Sequence, residues 1–287
     1  MSTDRAPRTE TPDEAALWWR TALTRIRPGE IAVRGYPIED LIGEISFVNM
    51  IWLLLRGDLP TAAQVKLLEA ALVASVDHGP QAPSIAAARM AVTCGVGLNN
   101  AVATGVNLLG DVHGGAGQQC MEMLASLSDR AGTRESLTDA VADHVNTVRA
   151  QRHYLPGFGH RFHPRDPRRD PLLAMVESAV ADGVVAGRYL QAALLVEERL
   201  AGGTRPVPMN IDGVTAVVYS ELGFTPELGR GLFVLSRTVG ILAHVWEERQ
   251  SGARIKGPLP KSVLAHYDGP TLRDLPQEAD IGRGGHR

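Results

Sequence analysis

Apolar side chains recur every three or four residues along most of this chain, whereas no comparable stretch alternates with the period of two typical of a half-buried strand. A capping-box sequence, Thr61–Gln64, opens one such segment, and Gly79-Pro80 closes it. The apolar positions between them are Val65, Leu68, Leu72 and Val76. This spacing predicts an amphipathic helix.

The same signals predict helices in the rest of the chain. Asn99 is expected to cap a helix that carries Val102, Val106 and Leu109 on one face. Asp170-Pro171 is typical of a helix start. Further helices are predicted at about 116–127, 134–152, 184–200, 212–222 and 226–249, and only 30–36 is expected to be extended. Because no βαβ period or internal repeat is found, the predicted fold class is all-α.

Charge and composition exclude several classes of protein. The net charge of the 287 residues is −3, so no overall positive field would attract nucleic acid or an anionic membrane. The longest apolar run, Met50–Leu55, is too short to span a bilayer. Two cysteines, Cys94 and Cys120, are too few for a disulfide framework and are expected in helices as small apolar fillers. We therefore expect a cytoplasmic protein with no nucleic-acid or membrane partner.

Three short stretches interrupt the helices with residues suited to chemistry. Asp111–Gly117 reads DVHGGAG, residues 156–168 read PGFGHRFHPRDPR, and Asn210-Ile211-Asp212 places an acid in the first turn of a helix. The partial positive charge of a helix N-terminus disfavours imidazolium, so His113 is expected to be neutral and able to donate a hydrogen bond to an oxyanion. The alternative is that His113 only caps the helix.

The other two stretches also have two interpretations each. His160 lies in a glycine-flanked loop with arginines at 161, 165, 168 and 169, a composition that suits phosphates or carboxylates. The alternative is a solvated basic loop. Asp212 is either a general base or simply a favourable charge at a helix N-terminus.

Other kinds of site have weaker support. A metal site of two histidines and one carboxylate would use His113, His160 and Asp212, but no pair among them has the i, i+4 spacing of helical ligands. DVHGGAG lacks the Lys-Ser/Thr of a phosphate loop, and the chain lacks a βαβ unit for a dinucleotide and a GxSxG sequence for an esterase.

Five motifs in this order resemble the citrate synthase superfamily over about 18–257. They are DHG at 77–79, HGGA at 113–116, PGFGHR with DPR, then NID, and SRT followed by AH at 243–244. The resemblance implies an all-α homodimer with a large domain, 1–114 and 225–287, and a small domain, 115–224, around a cleft. DHG followed by Pro83-Ser84, together with the short chain, is most similar to the citryl-CoA lyase branch, which includes the C-terminal module of ATP-citrate lyase.

The resemblance also implies a catalytic triad. By motif match, Asp212 takes a proton from the methyl group of acetyl-CoA, and His113 donates to the thioester oxygen of the enol. His160 hydrogen-bonds to the ketone oxygen of oxaloacetate and protonates it as the new bond forms. In reverse, the same residues cleave citryl-CoA to acetyl-CoA and oxaloacetate.

The remaining site residues are implied in the same way. The substrate-binding set is His78, Arg168, Arg237 and Phe233. The residues expected to hold coenzyme A, which is part of the substrate, are Pro156, Gly157, Phe158, Gly159, Arg161 and Asn210. No metal is expected, and His163, Arg165 and Arg169 are left as solvated loop residues.

One position departs from the family pattern. Gly257 stands before Pro258 where an arginine is usual, so Arg254 or Lys256 is expected to substitute for it, or one carboxylate loses its partner. Citryl-CoA lyase is the preferred activity, and citrate synthase or 2-methylcitrate synthase is the alternative. An idle homologue that only binds CoA or a metabolite is a further alternative. A separate citryl-CoA-forming enzyme is a possible partner.

Overall fold

A computed structural model describes residues 16–131, 134–161, 163–202, 206–258, 260, 262–263 and 266–275. The helices in this part of the chain are α1 Ile38–Leu41, α2 Phe47–Arg56, α3 Ala62–Ser75, α4 Pro83–Thr93, α5 Leu98–Val106, α6 Ala116–Arg130, α7 Arg134–Ala150, α8 Arg169–Ala181, α9 Arg188–Ala201, α10 Ile211–Glu221 and α11 Pro226–Gln250. The predicted all-α class is confirmed.

A small antiparallel sheet precedes the helices. Its strands are β1 Thr24–Arg27, β2 Glu30–Val33 and β3 Tyr36–Pro37, in the order β1-β2-β3. The extended prediction for 30–36 is correct for Glu30–Val33 and Tyr36, but Arg34 and Gly35 form a turn with φ of +50° and +90°, and the prediction misses β1. Every residue of β1 is exposed, so this strand has no buried face to give a period-two signal.

Several predicted helix boundaries are confirmed. The Thr61 hydroxyl accepts from the backbone N–H of Gln64, whose side chain in turn accepts from the Thr61 N–H, which completes the capping box. Thr225 caps α11 in the same manner through the N–H of Leu228. Asp212 lies in the first turn of α10, as expected.

Other boundary predictions are wrong. Gly97, not Asn99, is the N-cap of α5, and this helix ends at Val106, before Leu109. Asp170 lies inside the first turn of α8, where its carboxylate accepts from Arg165 and Arg169.

The helix predicted from 184 begins instead at Arg188. Gly187 adopts a φ of +79°, and the side chain of Glu221 accepts from the backbone N–H groups of Gly187, Tyr189 and Leu190. An acid from a different helix therefore sets the start of α9, and no local sequence pattern could reveal it.

Helix α10 lies at the centre of the main core. All its residues except Asp212 and Glu221 are buried, and it contacts α6, α9, α3 and α8. Cys120 of α6 is fully buried, as predicted for a core filler. Cys94 is not, because it lies at the C-cap of α4 and is exposed.

Helix α11 connects this core to a second cluster formed by α4 and α5. It packs against α3, α4, α5 and α6. Within the described residues it is also the one helix long and apolar enough to cross a membrane, by length and composition only, a test that core helices of soluble proteins also pass. The predicted division into two domains stays a prediction.

Candidate active site

The predicted catalytic and carboxylate-binding residues come from five separate parts of the fold and meet in one place. The charges of Arg237, Arg168, His160 and His113 all act on His78, after burial, to lower its pKa. The ring centroids of His78 and His160 are 6.1 Å apart. Loops, a helix N-terminus and the interior of α11, all remote in sequence, thus form a single cluster.

His113 belongs to the loop between α5 and α6. The backbone N–H of Ser84, in the first turn of α4, donates to Nε2 of His113 at 3.2 Å, and the Ser84 Oγ lies 2.9 Å from the same nitrogen. Since a backbone N–H can only donate, Nε2 is an acceptor and the neutral ring carries its proton on Nδ1. Burial, and then the charge of Arg237, lowers the pKa of His113.

The glycines after His113 cap α6 and let the His113 loop approach α11 closely, so the histidine itself is not the cap. The N-cap of α6 is Gly115, so the interpretation of His113 as the cap is wrong. Gly114 has a φ of +105°, and a Cβ there would lie 2.9 Å from the ring of Phe233. This glycine brings the His113 loop directly against α11.

His160 is also held as a neutral ring. The backbone N–H of His163 donates to Nδ1 of His160 at 3.1 Å, which places the proton of the neutral imidazole on Nε2. The two rings are in contact, with centroids 4.6 Å apart and planes inclined at 37°. Burial and His163 lower the pKa of His160, Asp166 opposes this, and Arg168 adds to it.

The glycine-rich loop before His160 is fixed by strand-like pairing with 208–210. The N–H of Gly159 donates to the Pro208 carbonyl at 2.7 Å, and the N–H of Asn210 donates to the Gly157 carbonyl at 3.0 Å. Gly157 has a φ of +84°, and a Cβ there would lie 2.7 Å from the Cys120 Sγ and 2.8 Å from the Gly213 Cα.

Asn210 has a structural duty at this junction. Its side-chain oxygen accepts from the N–H groups of Asp212 and Gly213, and its amide donates to the Gly159 carbonyl at 2.6 Å. The proposed contacts of Pro156, Phe158 and Asn210 with coenzyme A stay predictions.

Asp212 is the acid of the cluster. Burial raises its pKa, and the charges of Arg237 and Arg168 offset only part of that effect. A carboxyl group with a raised pKa is suited to proton transfer, because both protonation states are accessible nearer to neutral pH.

The two predicted carboxylate-binding arginines are both anchored. Arg168 donates to Asp166 through Nε at 2.9 Å and Nη2 at 2.8 Å. The guanidinium of Arg237 donates to the Ser75 carbonyl through Nε and Nη2, at 3.2 Å each, and lies 4.9 Å from the centroid of the Phe233 ring. Both side chains are thereby oriented before any ligand binds.

Asp166 is a residue that the sequence interpretation did not identify. Its side chain is fully buried and also accepts from the N–H of Ile211 at 3.1 Å, which links the DPR and NID motifs. Burial alone would raise its pKa, but the bonds from Arg168 and Ile211 lower it to about 2. The sequence signal for Asp166 was the DPR motif itself, because an aspartate two residues before an arginine can accept two hydrogen bonds from it.

Four further basic side chains named in the sequence analysis differ in their surroundings. Arg169 is buried against Glu197, so its assignment as a solvated loop residue is wrong. Lys256 donates to Glu248 at 3.0 Å, and substitution of Arg254 or Lys256 for the arginine missing at Gly257 stays a prediction. Arg254 and Arg161 are exposed.

The part of the chain that the structure describes contains no group of three or more His, Cys, Asp or Glu side chains arranged to hold a metal ion. The donor sets of His113 and His160 agree with this finding. Each ring has one nitrogen occupied by a backbone N–H. His113 and His160 are therefore held for hydrogen bonding.

Comparison with known proteins identifies the family. A family model described as citrate synthase, C-terminal domain, matches residues 14–67 and 62–258. The chain belongs to the citrate synthase family. The citrate synthase of Haloferax volcanii is 30% identical over 239 residues, which cover 82% of this chain and 58% of that protein. The chain thus spans somewhat more than half the length of such relatives.

Solved structures of this family have the same fold. A citryl-CoA lyase from Hydrogenobacter thermophilus has a TM-score of 0.80 and 34% identity, covering 91% of this chain and 99% of that one. An ATP citrate lyase from Methanosaeta concilii, in complex with (3S)-citryl-CoA, has a TM-score of 0.71 and 20% identity, covering 98% of this chain and 47% of that one. The citrate synthase-like fold is therefore shown.

Proposed function

We propose that this chain makes and breaks the carbon–carbon bond of citryl-CoA, with acetyl-CoA and oxaloacetate as the other side of the reaction. The observation that carries the proposal is the cluster of Asp212 with two neutral histidines whose tautomers are fixed by backbone N–H groups. The similarity to a citryl-CoA lyase over nearly the full length of both chains supports cleavage as the preferred direction.

The cleavage needs three groups at the same time. They are an acid that protonates the enolate carbon, a hydrogen-bond donor to the thioester oxyanion, and a base that takes the hydroxyl proton. As the bond breaks, the hydroxyl proton of the citryl group passes to Nε2 of His160 and the ketone of oxaloacetate forms, so before this step the ring must carry its own proton on Nδ1 and give up the bond from the His163 N–H. Negative charge develops on the thioester oxygen of the acetyl-CoA enolate, where Nδ1–H of His113 donates. The Asp212 carboxyl group then protonates the enolate carbon to give the methyl group.

The anchored arginines suit the carboxylates of an oxaloacetate-type acid. Arg168 and Arg237 bring two positive charges to the cluster, with His78 and Phe233 beside them. Charge-assisted bonds of this kind are roughly twice as strong as neutral ones. Coenzyme A would lie along the Pro156–Gly159 loop and Asn210, with Arg161 near a phosphate.

We also propose a homodimer and a cytoplasmic location. Four large apolar side chains on α11 are exposed and recur at helical spacing, which favours burial against a second copy. They are Leu235, Val239, Leu242 and Trp246. A lyase acting on citryl-CoA would also need a separate enzyme to form it.

Citrate synthase is the second candidate, because relatives such as that of Haloferax volcanii carry this activity name. It requires hydrolysis of the thioester, so it releases one CoA for each acetyl-CoA consumed. Incubation with acetyl-CoA and oxaloacetate, followed by measurement of free CoA, separates the two. A lyase gives little free thiol under these conditions, and stoichiometric release would establish the synthase instead.

A further inference from the structure

The Asp77-His78-Gly79 turn is held by one face of helix α11. Arg237 donates to the Ser75 carbonyl, and a Cβ at Gly240 would lie 3.3 Å from the Asp77 Cα. His244, one turn further along, lies with Nε2 at 3.1 Å from the Asp77 Oδ1. Positions 237, 240 and 244 share one side of the helix, so this side of α11 contacts residues 75–77 along three successive positions.

The proton positions in this contact are determined by Arg89. Its Nη1 lies 3.1 Å from Nδ1 of His244, and because a guanidinium can only donate, Nδ1 is the acceptor. The proton of a neutral His244 is then on Nε2 and is donated to Asp77. Arg89 is itself held by Glu248 at 2.5 Å, and Lys256 holds the other oxygen of that carboxylate at 3.0 Å.

Asp77 uses its other oxygen to shape the turn. Its Oδ2 accepts from the N–H of Gly79 at 3.1 Å, and Gly79 adopts a φ of +81°. Burial would raise the pKa of Asp77, but hydrogen bonds from the backbone of Gly79 and His78, and then His244, lower it. The carboxylate is therefore ionised and organises the residues on both sides of His78.

We propose that His244 is a positioning residue that acts through Asp77 to orient His78, and so sets the affinity of the site for the oxoacid. This inference rests on the proposed function for its kinetic consequence. His244 contacts neither Asp212 nor His113 in the described contacts, so it has no expected part in proton transfer. Its loss should therefore affect oxoacid binding more than the chemical step.

The kinetic test compares H244A, H244Q and the exposed control R249A. Glutamine can donate its amide to Asp77 while its carbonyl accepts from Arg89, so H244Q should retain most of the effect. We expect H244A to raise KM for oxaloacetate about tenfold, the scale of one charged hydrogen bond, with kcat within about threefold. H244Q and R249A should stay near the wild type. Equal loss in H244A and H244Q, or a fall in kcat alone, would overturn the proposal.

A second measurement needs no turnover, so it separates failure of this inference from failure of the proposed function. The ring signals of His78 are assigned in an NMR spectrum by comparison with H78N. We expect H244A to shift these signals at constant pH and H244Q to restore them. Unchanged His78 signals in a folded H244A protein would refute the positioning role, even if citryl-CoA is never cleaved.

Discussion

The backbone N–H of Ser84 donates to Nε2 of His113 across 3.2 Å, so the first turn of α4 decides which nitrogen of this histidine carries the proton. The donor that remains is Nδ1. An oxyanion at the thioester oxygen would therefore be stabilised from Nδ1, through a ring that needs no reorganisation during the reaction.

Substitutions of His113 should reveal this tautomer. In H113N the amide nitrogen can occupy the place of Nδ1, whereas H113Q places its amide near Nε2 and leaves no donor at the δ position. We expect H113Q to lower kcat by about 10²–10³-fold and H113N to lower it less. Steady-state cleavage of citryl-CoA measures both. A less active H113N than H113Q would contradict the assignment.

Replacement of Asp212 should separate stability from activity. Burial raises the pKa of this group in the folded state above its unfolded value of about 3.9, so its ionisation opposes folding at neutral pH. We expect D212N to abolish turnover and to raise the midpoint of thermal unfolding at pH 8. The difference should vanish below about pH 4, where the wild-type carboxyl is protonated in both states. A D212N protein less stable than wild type at pH 8 would contradict the inferred raised pKa.

Asp166 should show the opposite pH dependence. Its pKa is lowered to about 2 in the folded protein, so its contribution is present above the unfolded value and is lost as pH falls towards 2. D166N should lower the free energy of unfolding by roughly 2 kcal/mol at pH 7 and raise KM for oxaloacetate through Arg168. Urea unfolding at several pH values measures the first effect. An equal loss at pH 3 and pH 7 would exclude this origin.

His163 should influence the acid limb of the pH profile. After burial, His163 is the main group that lowers the pKa of His160. H163F keeps an aromatic ring beside His160 and removes the like charge, so the pKa of His160 should rise. The acid limb of kcat/KM should then move to higher pH, while activity at pH 8 changes little. If the acid limb does not move, His163 has no electrostatic effect on the pKa of His160.

Gly157 should be intolerant of a side chain for two reasons. In G157A the alanine would have to adopt a φ of +84°, and its Cβ would clash with Cys120 and Gly213. Gly43 has a similar φ of +86°, but among the described residues no atom lies within 4 Å of a Cβ built there. G43A should cost about 1 kcal/mol of unfolding free energy, and G157A clearly more. Equal losses in urea unfolding would mean that the contacts relax freely.

The helical class and most helix starts could be predicted from local patterns. The Thr61–Gln64 capping box and the Thr225 cap are determined by residues within one turn, so the sequence contains the whole signal. The start of α9 depends on Glu221, and that of α5 on Gly97 instead of the better capping residue Asn99. The start of α9 depends on a contact between two helices that no short window contains.

The candidate site shows the same limit. The motif residues His113, His160 and Asp212 could be identified in sequence, and the structure places them in one cluster with Arg168 and Arg237. Their supporting partners could not be found by periodicity. Ser84 acts through its backbone, and Asp166 and His244 act through long-range bonds.

The most direct test of the account is the fate of citryl-CoA in D₂O, followed by mass spectrometry of the products. If Asp212 protonates the enolate carbon, we expect equal amounts of oxaloacetate and acetyl-CoA, with a single solvent deuterium in the methyl group. We expect no product from D212N. Unchanged citryl-CoA, or its conversion to citrate and free CoA, would contradict the proposed lyase.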